Sequence, residues 1–177
     1  MAEIKLYIAT TIDGYIARED GSLDWLYALP NPNQIDHGYS GFFETIDTVI
    51  MGRTTYETIL GFGVEWPYSN CISYVITSKE NYQAKTPNTK VLNNLSIENL
   101  DKIKADSKKH IWLIGGGKVI TEFINFDQID EMILCMIPTI LGTGIRLFPD
   151  KPKETLFQLT KSESFKTKII NLTYRKK

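Results

Sequence analysis

Two short stretches of the sequence combine glycine with a basic residue directly after an apolar run, which is a pattern suited to holding phosphates. They are Gly52-Arg53-Thr54 and Gly115-Gly116-Gly117-Lys118. Glycine lets the backbone approach a ligand closely, and the free N–H groups at the start of a helix attract anions. Arg53 adds a flat guanidinium fork and Lys118 a point charge. Each stretch therefore predicts a strand-to-helix junction that can bind an anion.

A third candidate, Thr77-Ser78-Lys79, follows another apolar run and offers two hydroxyl groups and an ammonium. Ligands of open α/β sheets bind at the carboxyl ends of the strands. Three such strand ends in one small domain predict a single ligand that carries several phosphate groups. An ordinary turn is the alternative at each of the three junctions.

Other common chemistries do not fit the sequence. The P-loop pattern fails because Val119 follows Lys118, and the GxGxxG pattern fails because position 120 is isoleucine. The chain has two histidines and two cysteines, so no metal site is predicted. Cys71 and Cys135 form no CxxC motif, which is typical of a protein in the reducing cytoplasm.

The composition is that of one globular domain over residues 1–177, with 42% hydrophobic and 23% charged residues. The net charge of −1 argues against a nucleic-acid-binding protein. No apolar run approaches the roughly 20 residues of a membrane span, and the first residues lack the apolar segment of a secretory signal. We therefore expect a cytoplasmic protein without a membrane or nucleic-acid partner.

Short apolar runs alternate with helical patterns along the chain, which indicates an α/β fold with a mainly parallel sheet. Thr54 and Ser96 are the predicted N-terminal caps of two of the helices. Strands are predicted over 4–9, 48–51, 72–77, 91–92, 110–114 and 132–137, helices over 33–44, 56–60, 96–103 and 118–124, and a terminal hairpin over 155–162 and 166–174.

Taken in order, these motifs resemble the dihydrofolate reductase superfamily, and most of all the reductase (RibD C-terminal) domain of riboflavin-biosynthesis proteins and its stand-alone relatives. The resemblance implies a dihydrofolate-reductase-like three-layer α/β fold. Its central sheet is mixed and mostly parallel, helices flank it, and an antiparallel hairpin closes the chain. The matching segments are Ile8–Ala17, Met51–Glu57, Val75–Ser78, Ile114–Gly116, Leu141–Gly144 and Phe148–Asp150.

The resemblance implies NADPH as cofactor, hydride transfer as the reaction and a cis peptide bond between Gly115 and Gly116. In this family the cofactor lies across the strand ends, and NADPH is expected to bind more tightly than NADH. The implied contacts are Ala9 and Ile16 with the nicotinamide, Gly52, Arg53 and Thr54 with the phosphates, Gly115, Gly116, Gly117, Lys118 and Val119 with the pyrophosphate, and Thr77, Ser78 and Lys79 with the adenosine end.

Folate reductases carry a catalytic carboxylate on the helix before the Met-Gly-Arg motif, and the resemblance places Asp36 at that position. We expect Asp36 to share a helix with Tyr39 and Phe43. Tyr39 and Phe43 would then line an apolar wall beside Asp36. Such a wall would raise the pKa of the carboxyl group and let it relay a proton near neutral pH. The alternative is a solvated residue in the first turn of the helix.

Trp25 and Tyr39 are the candidates for contact with the substrate. Trp25 lies in a long irregular segment, where it would either stack on a flat heterocycle or anchor the loop. His37 is expected on the surface, with contact to a ligand as the alternative. The resemblance implies that Cys135 stands where folate reductases have a threonine that supports the carboxylate.

Together, the resemblance implies a reductase of a small pterin- or pyrimidine-like substrate. The activity would be that of a 5-amino-6-(5-phosphoribosylamino)uracil reductase or a dihydrofolate reductase. A non-catalytic nucleotide-binding protein that kept the cofactor site is the alternative. The resemblance and the apolar terminal hairpin also predict a homodimer.

Overall fold

The computed structural model describes residues 1–177. A 3₁₀ turn spans Asp24–Tyr27. In chain order the other elements are β1 (Ile4–Thr11), β2 (Tyr15–Ala17), α1 (Tyr39–Phe43), β3 (Ile46–Gly52), α2 (Arg53–Leu60), β4 (Ile72–Ile76), β5 (Thr89–Leu92), α3 (Ile97–Asp106), β6 (His110–Gly115), α4 (Gly117–Asn125), β7 (Glu131–Ile137), β8 (Ile145–Arg146), β9 (Phe157–Ser164) and β10 (Ile170–Lys176). None of the helices has both the length and the apolar character needed to cross a membrane.

Eight strands form the central sheet in the order β5-β4-β3-β6-β1-β7-β10-β9. The strands from β5 to β7 are parallel, β10 runs antiparallel to β7, and β9 pairs antiparallel with β10. The predicted mixed, mostly parallel sheet with a terminal hairpin is therefore confirmed. The short strands β2 and β8 form a separate antiparallel pair, which the sequence pattern did not predict.

Helices pack on both faces of the sheet, because successive residues of a buried strand point to opposite faces. On β3, Ile50 joins a core cluster that also contains residues of α3 and α4. Its neighbours Val49 and Met51 join a second cluster with residues of α1 and α2. On β6, Trp112 belongs to the second cluster in the same way. The predicted three-layer arrangement is thus the observed one.

The helix predicted over 33–44 is wrong in its first half. α1 begins only at Tyr39, because three residues before it have positive φ angles that an α-helix cannot contain. They are Gln34 at +49°, His37 at +55° and Gly38 at +86°. The chain from the 3₁₀ turn to α1 is consequently an irregular segment that lies across one end of the sheet.

Candidate functional site

α2 and α4 begin beside each other at the carboxyl ends of the paired strands β3 and β6. A Cβ atom on Gly52 would lie 3.0 Å from Val119 Cγ2 and 4.0 Å from the Gly116 nitrogen. A Cβ on Gly116 would lie 3.3 Å from Thr55 Oγ1. The two glycine-containing stretches predicted to bind anions therefore meet, and glycine is what permits their close packing. We call residues 52–54 and 115–119 the glycine-rich edge.

The two helices at this edge begin without a side-chain cap. The N-cap residues are Gly52 for α2 and Gly116 for α4, and no side chain bonds to the first N–H groups of either helix. The prediction that Thr54 caps α2 is wrong, because the helix already begins at Arg53 and Thr54 lies within its first turn. α3, by contrast, is capped by Ser96 as predicted, with Ser96 Oγ accepting from the Asn99 nitrogen at 3.2 Å. The free N–H groups of α2 and α4 can thus hold an anion.

The third predicted strand end continues the same edge. Gly52 of β3 pairs with Ile76 of β4, so Thr77 follows directly beside the start of α2. Thr77 is buried and its Oγ1 accepts from the Lys79 nitrogen at 3.1 Å, while Ser78 and Lys79 are exposed. All three predicted anion-binding segments therefore lie side by side at the ends of β4, β3 and β6.

The two residues expected beside a nicotinamide ring lie next to this edge. Ala9 is near the carboxyl end of β1, which pairs with β6. Ile16 is in β2, whose partner strand β8 approaches the start of α4. A Cβ on Gly117 would collide with the carbonyl oxygen of Arg146 in β8. The small sheet that contains Ile16 is thus packed against the glycine-rich edge.

The basic side chains at this edge are on the surface. Arg53 Nη1 donates to Glu57 Oε2 at 2.7 Å, one helical turn away, and both side chains are partly exposed. Lys79 and Lys118 are exposed as well. A phosphate bound here can therefore form ion pairs with Lys79 and Lys118 directly. To pair with Arg53, it must replace the Glu57 carboxylate.

Trp25 is buried, with only 2% of its surface exposed, which agrees with the second of its two expected roles, a loop anchor. It packs with Cys135, Ile137 and Ile169, and Ala9 contacts the same cluster. Because the ring is enclosed, its faces are not free to stack on a substrate, and Trp25 anchors the irregular segment to the sheet instead. Its Nε1 atom is buried without a hydrogen-bond partner.

Tyr39 lies in an aromatic cluster beneath α1. Its ring stacks on Phe43 at a centroid distance of 5.7 Å and meets the edges of Tyr7 and Trp112. Burial raises the pKa of the Tyr39 hydroxyl. The predicted substrate contact is not supported, because the ring is committed to the packing between α1 and the sheet.

Asp36 precedes α1 and faces solvent. Its carboxylate accepts hydrogen bonds from the Gly38 and Ser40 nitrogens, each at 3.0 Å. Hydrogen bonding to Ser40, and then to the Gly38 amide, lowers the pKa of Asp36 to about 2. The predicted helical position and raised pKa are therefore wrong, because the side chain holds the start of the helix rather than facing an apolar wall.

A cavity of about 410 Å³ lies between the irregular segment and the turn that joins β9 to β10. We call it the loop cavity. Two of its lining residues, Leu26 and Leu29, also pack against the Trp25 cluster that Ala9 contacts. The lining residues are Leu26, Tyr27, Leu29, Asn31, Ile35, His37, Thr167 and Ile169.

His37 joins the irregular segment to the terminal hairpin, a role that its sequence position did not indicate. Its Nε2 atom is 2.8 Å from Thr167 Oγ1, and its carbonyl oxygen accepts from Tyr7 Oη at 3.0 Å and from Asn171 Nδ2 at 2.6 Å. Its ring also meets the edge of Phe165. The expectation of a surface position for His37 is wrong, since the side chain is half-buried between two segments distant in sequence.

Comparison with known proteins agrees with this architecture. Residues 2–171 match the family model of the RibD C-terminal domain. The chain is 38% identical over 161 residues to the uncharacterized protein YwjB of Bacillus subtilis (strain 168), covering 90% of each chain.

Two solved structures show the same fold. The crystal structure of a protein from Shewanella sp. PV-4, provisionally assigned to riboflavin biosynthesis, has a TM-score of 0.87 at 33% identity, covering 100% of this chain and 99% of that one. Dihydrofolate reductase from Enterococcus faecalis, complexed with NADP(H) and RAB-propyl, has a TM-score of 0.69 at 23% identity, covering 98% and 96%. The chain therefore belongs to the RibD C-terminal domain family, and its fold is that of dihydrofolate reductase.

Proposed function

We propose that this protein is an NADPH-dependent reductase that transfers a hydride to a small pterin- or pyrimidine-like heterocycle. The observation that carries the proposal is the pair of uncapped helix N-termini at the glycine-rich edge. They lie at the ends of neighbouring strands, beside β1 and its Ala9. Such a site suits a ligand with several phosphates whose other end extends past Ala9, which contacts the same Trp25 cluster as two lining residues of the loop cavity.

The residues at the edge fit a nicotinamide dinucleotide. Side chains at Gly52 and Gly116 would occupy the space between the two helix starts, and glycine leaves their N–H groups accessible. Residues 52–54 and 115–119 would hold the phosphates, and residues 77–79 would surround the adenosine end. The cofactor, when bound, supplies the hydride. The dihydrofolate reductase of the same fold, which is complexed with NADP(H), supports this choice.

The chain's own residues would shape the reaction at the other end of the site. The buried Trp25 cluster excludes water beneath Ala9 and fixes the irregular segment that forms the loop cavity. Asp36 is exposed and its pKa is about 2, so its carboxyl group holds no proton at neutral pH. The cavity reaches the surface at Tyr27, which is 84% exposed. We therefore propose water as the source of the proton that reduction of a C=N bond requires.

The experiment that tests the proposal has two measurements on the purified protein. The quenching or enhancement of NADPH fluorescence gives the dissociation constant, and NADPH absorbance is then followed with a panel of pterins and pyrimidines. We expect NADPH binding and oxidation with at least one member of the panel. A protein that does not bind NADPH would contradict the proposal.

One observation favours a second candidate, a nucleotide-binding protein without catalytic activity. The structure holds Asp36 outside the cavity, with its carboxylate committed to the Gly38 and Ser40 nitrogens. The same two measurements separate the candidates. Tight NADPH binding without oxidation by any member of a broad panel would favour the second candidate.

We also propose that the protein is a homodimer that buries part of the terminal hairpin. Leu156, Leu159 and Ile170 are exposed by 67%, 50% and 42% in the single chain. Light scattering should give twice the chain mass of 20.2 kDa at micromolar concentration. A mass equal to that of one chain would rule the dimer out.

A further inference from the structure

We infer that the part of the substrate bound in the loop cavity is uncharged, and that a phosphate-bearing substrate is disfavoured there. This inference rests on the proposed function, because it concerns the substrate end of the same site. It goes further because it states that a heterocyclic substrate without an anionic substituent binds better than the same substrate with one.

The first observation is the chemistry of the lining. Four of the eight lining residues are aliphatic, a fifth is Tyr27, and none is Lys, Arg, Asp or Glu. The polar members are Asn31, His37 and Thr167. An anion that gives up water on entering such a lining requires a cation or several hydrogen-bond donors in exchange. The lining offers no cationic partner for a phosphate.

The second observation is that the polar groups are largely bonded to one another. Asn31 Nδ2 donates to the Ile35 carbonyl at 2.8 Å, and Asn31 Oδ1 accepts from the Ile35 nitrogen at 2.9 Å. His37 Nε2 and Thr167 Oγ1 share a hydrogen bond of 2.8 Å. Burial lowers the pKa of the His37 imidazole, which keeps the ring neutral at pH 7. The polar atoms without a partner in the cavity, above all His37 Nδ1, can form a hydrogen bond with the edge of a neutral heterocycle.

The third observation is that none of the nearby cations lines the cavity. Lys166 and Lys168 flank Thr167 in the sequence. Both lysines are exposed, whereas the lining residues Thr167 and Ile169 are buried. Arg18 makes two hydrogen bonds to Asp24, of 2.6 and 2.9 Å. A phosphate among these lining residues would therefore lose part of its water, and no charged lining residue would replace it.

The inference has a direct consequence for 5-amino-6-(5-phosphoribosylamino)uracil. Its pyrimidine ring and ribose fit the polarity of the loop cavity, but its phosphate does not. We expect the dephosphorylated nucleoside to be the better ligand. The same reasoning applies to any heterocycle offered with and without an anionic group.

The experiment uses matched pairs that differ by one phosphate, in the presence of saturating NADP⁺. The pairs are 5-amino-6-ribosylaminouracil with its 5′-phosphate, uridine with UMP, and riboflavin with FMN. Ligand-detected NMR titration gives each dissociation constant. We expect the neutral member to bind at least about tenfold more tightly in each pair that binds. Equal or reversed affinities, or no binding by any neutral member, would overturn the inference.

Two variants place a cation in the cavity. Tyr27→Lys is the first, because this lining residue is exposed and its replacement does not threaten the fold. Ile35→Lys is the second, at a partly buried position. Each should raise the affinity for the phosphorylated member about tenfold. Ile97→Lys, on α3 outside the cavity, is the matched control and should leave the ratio unchanged.

NADPH binding is measured on every protein, so that the two proposals can fail separately. A wild-type protein without NADPH affinity would contradict the reductase proposal. Normal NADPH binding with a preference for phosphorylated ligands would overturn only the inference on the cavity. Lysine variants that leave the preference for neutral ligands unchanged would show that those ligands bind outside the loop cavity, which also overturns it.

Discussion

The two ends of the proposed site are built from different parts of the chain. The glycine-rich edge consists of main-chain atoms at the starts of α2 and α4, held in place by the sheet. The loop cavity consists of side chains on an irregular segment and a turn, held by His37 and the Trp25 cluster. The first end is set by topology, whereas the second depends on individual side chains. The lining of the loop cavity can therefore change without disturbing the glycine-rich edge.

Trp25→Ala should have the largest effect on stability and should act on the cavity end. Removal of a buried tryptophan typically lowers the free energy of unfolding by about 3–5 kcal/mol. Trp25→Phe is the matched control, because it keeps an aromatic ring and removes the unpartnered Nε1. Chemical denaturation measures both. A loss of less than 1 kcal/mol, roughly, in the alanine variant would show that Trp25 does not anchor the segment.

Gly117→Ala should act on the other end of the site. The new Cβ would collide with the Arg146 carbonyl oxygen and would lie 2.9 Å from Pro149 Cδ. We expect a loss of about 3 kcal/mol in stability and weaker NADPH binding, because β8 must move away from the start of α4. Gly41→Ala is the control, since nothing lies within 4 Å of its Cβ position. Equal behaviour of the two variants would contradict the close packing at this edge.

The basic residues of the cofactor end should distinguish NADPH from NADH. We expect wild-type protein to bind NADPH at least about tenfold more tightly, because charge-assisted hydrogen bonds contribute roughly 1.5–3 kcal/mol each. The double variant Arg53→Ala with Lys79→Ala should abolish this preference. Lys161→Ala, on the distant edge strand β9, should preserve it. Calorimetric titration with both cofactors measures the ratio, and a preference that survives the double variant would place the 2′-phosphate elsewhere.

Asp36→Asn should have the smallest effect on activity and a specific effect on pH dependence. With water as the proton source, the variant should keep more than about a third of kcat, whereas a proton-transfer residue contributes about 10²–10⁴-fold. The pKa of Asp36 is lowered from 3.8 to about 2 on folding, so its ionised form stabilises the protein above pH 4 and this contribution is lost as the pH falls through 2.

Melting temperatures between pH 2 and pH 5 test this second effect. The wild-type value should fall more steeply than that of Asp36→Asn over this interval. Asp106→Asn, which replaces an exposed carboxylate at the end of α3, is the control and should behave like the wild type. A hundredfold loss of kcat in Asp36→Asn, roughly, would establish Asp36 as the proton source after all.

Sequence patterns predicted the geometry of the glycine-rich edge well because its features are local. A buried strand followed by glycine and a helix is visible in a few consecutive residues, as at Gly52 and Gly115, and parallel pairing then brings the strand ends together. The expected cis peptide between Gly115 and Gly116 is also present. The three-layer arrangement of the fold was implied by the resemblance, which depended on the order of all the motifs rather than on any one of them.

The cavity end could not be predicted in the same way, because it depends on contacts between distant segments. The apolar spacing of Ile35, Tyr39 and Phe43 imitates a helix, but positive φ angles at Gln34 and His37 interrupt it. Nothing in residues 19–38 decides between the two expected roles of Trp25 or indicates that His37 bonds to Thr167. The stretch Asp36-His37-Gly38 combines aspartate and glycine, which are common in turns. It was the one signal in the sequence that a turn, rather than a helix, precedes Tyr39.

The position of β1 at the centre of the sheet also constrains how the chain matures on the ribosome. Its two neighbours, β6 and β7, are made from residues 110–137, whereas β3, β4 and β5 can pair with one another earlier. At roughly 5–20 residues per second, the first strand waits about 5–20 s for a partner. During synthesis its apolar residues Ile4, Leu6 and Ile8 therefore remain available to chaperones. A chain released before residue 110 would lack both neighbours of its first strand.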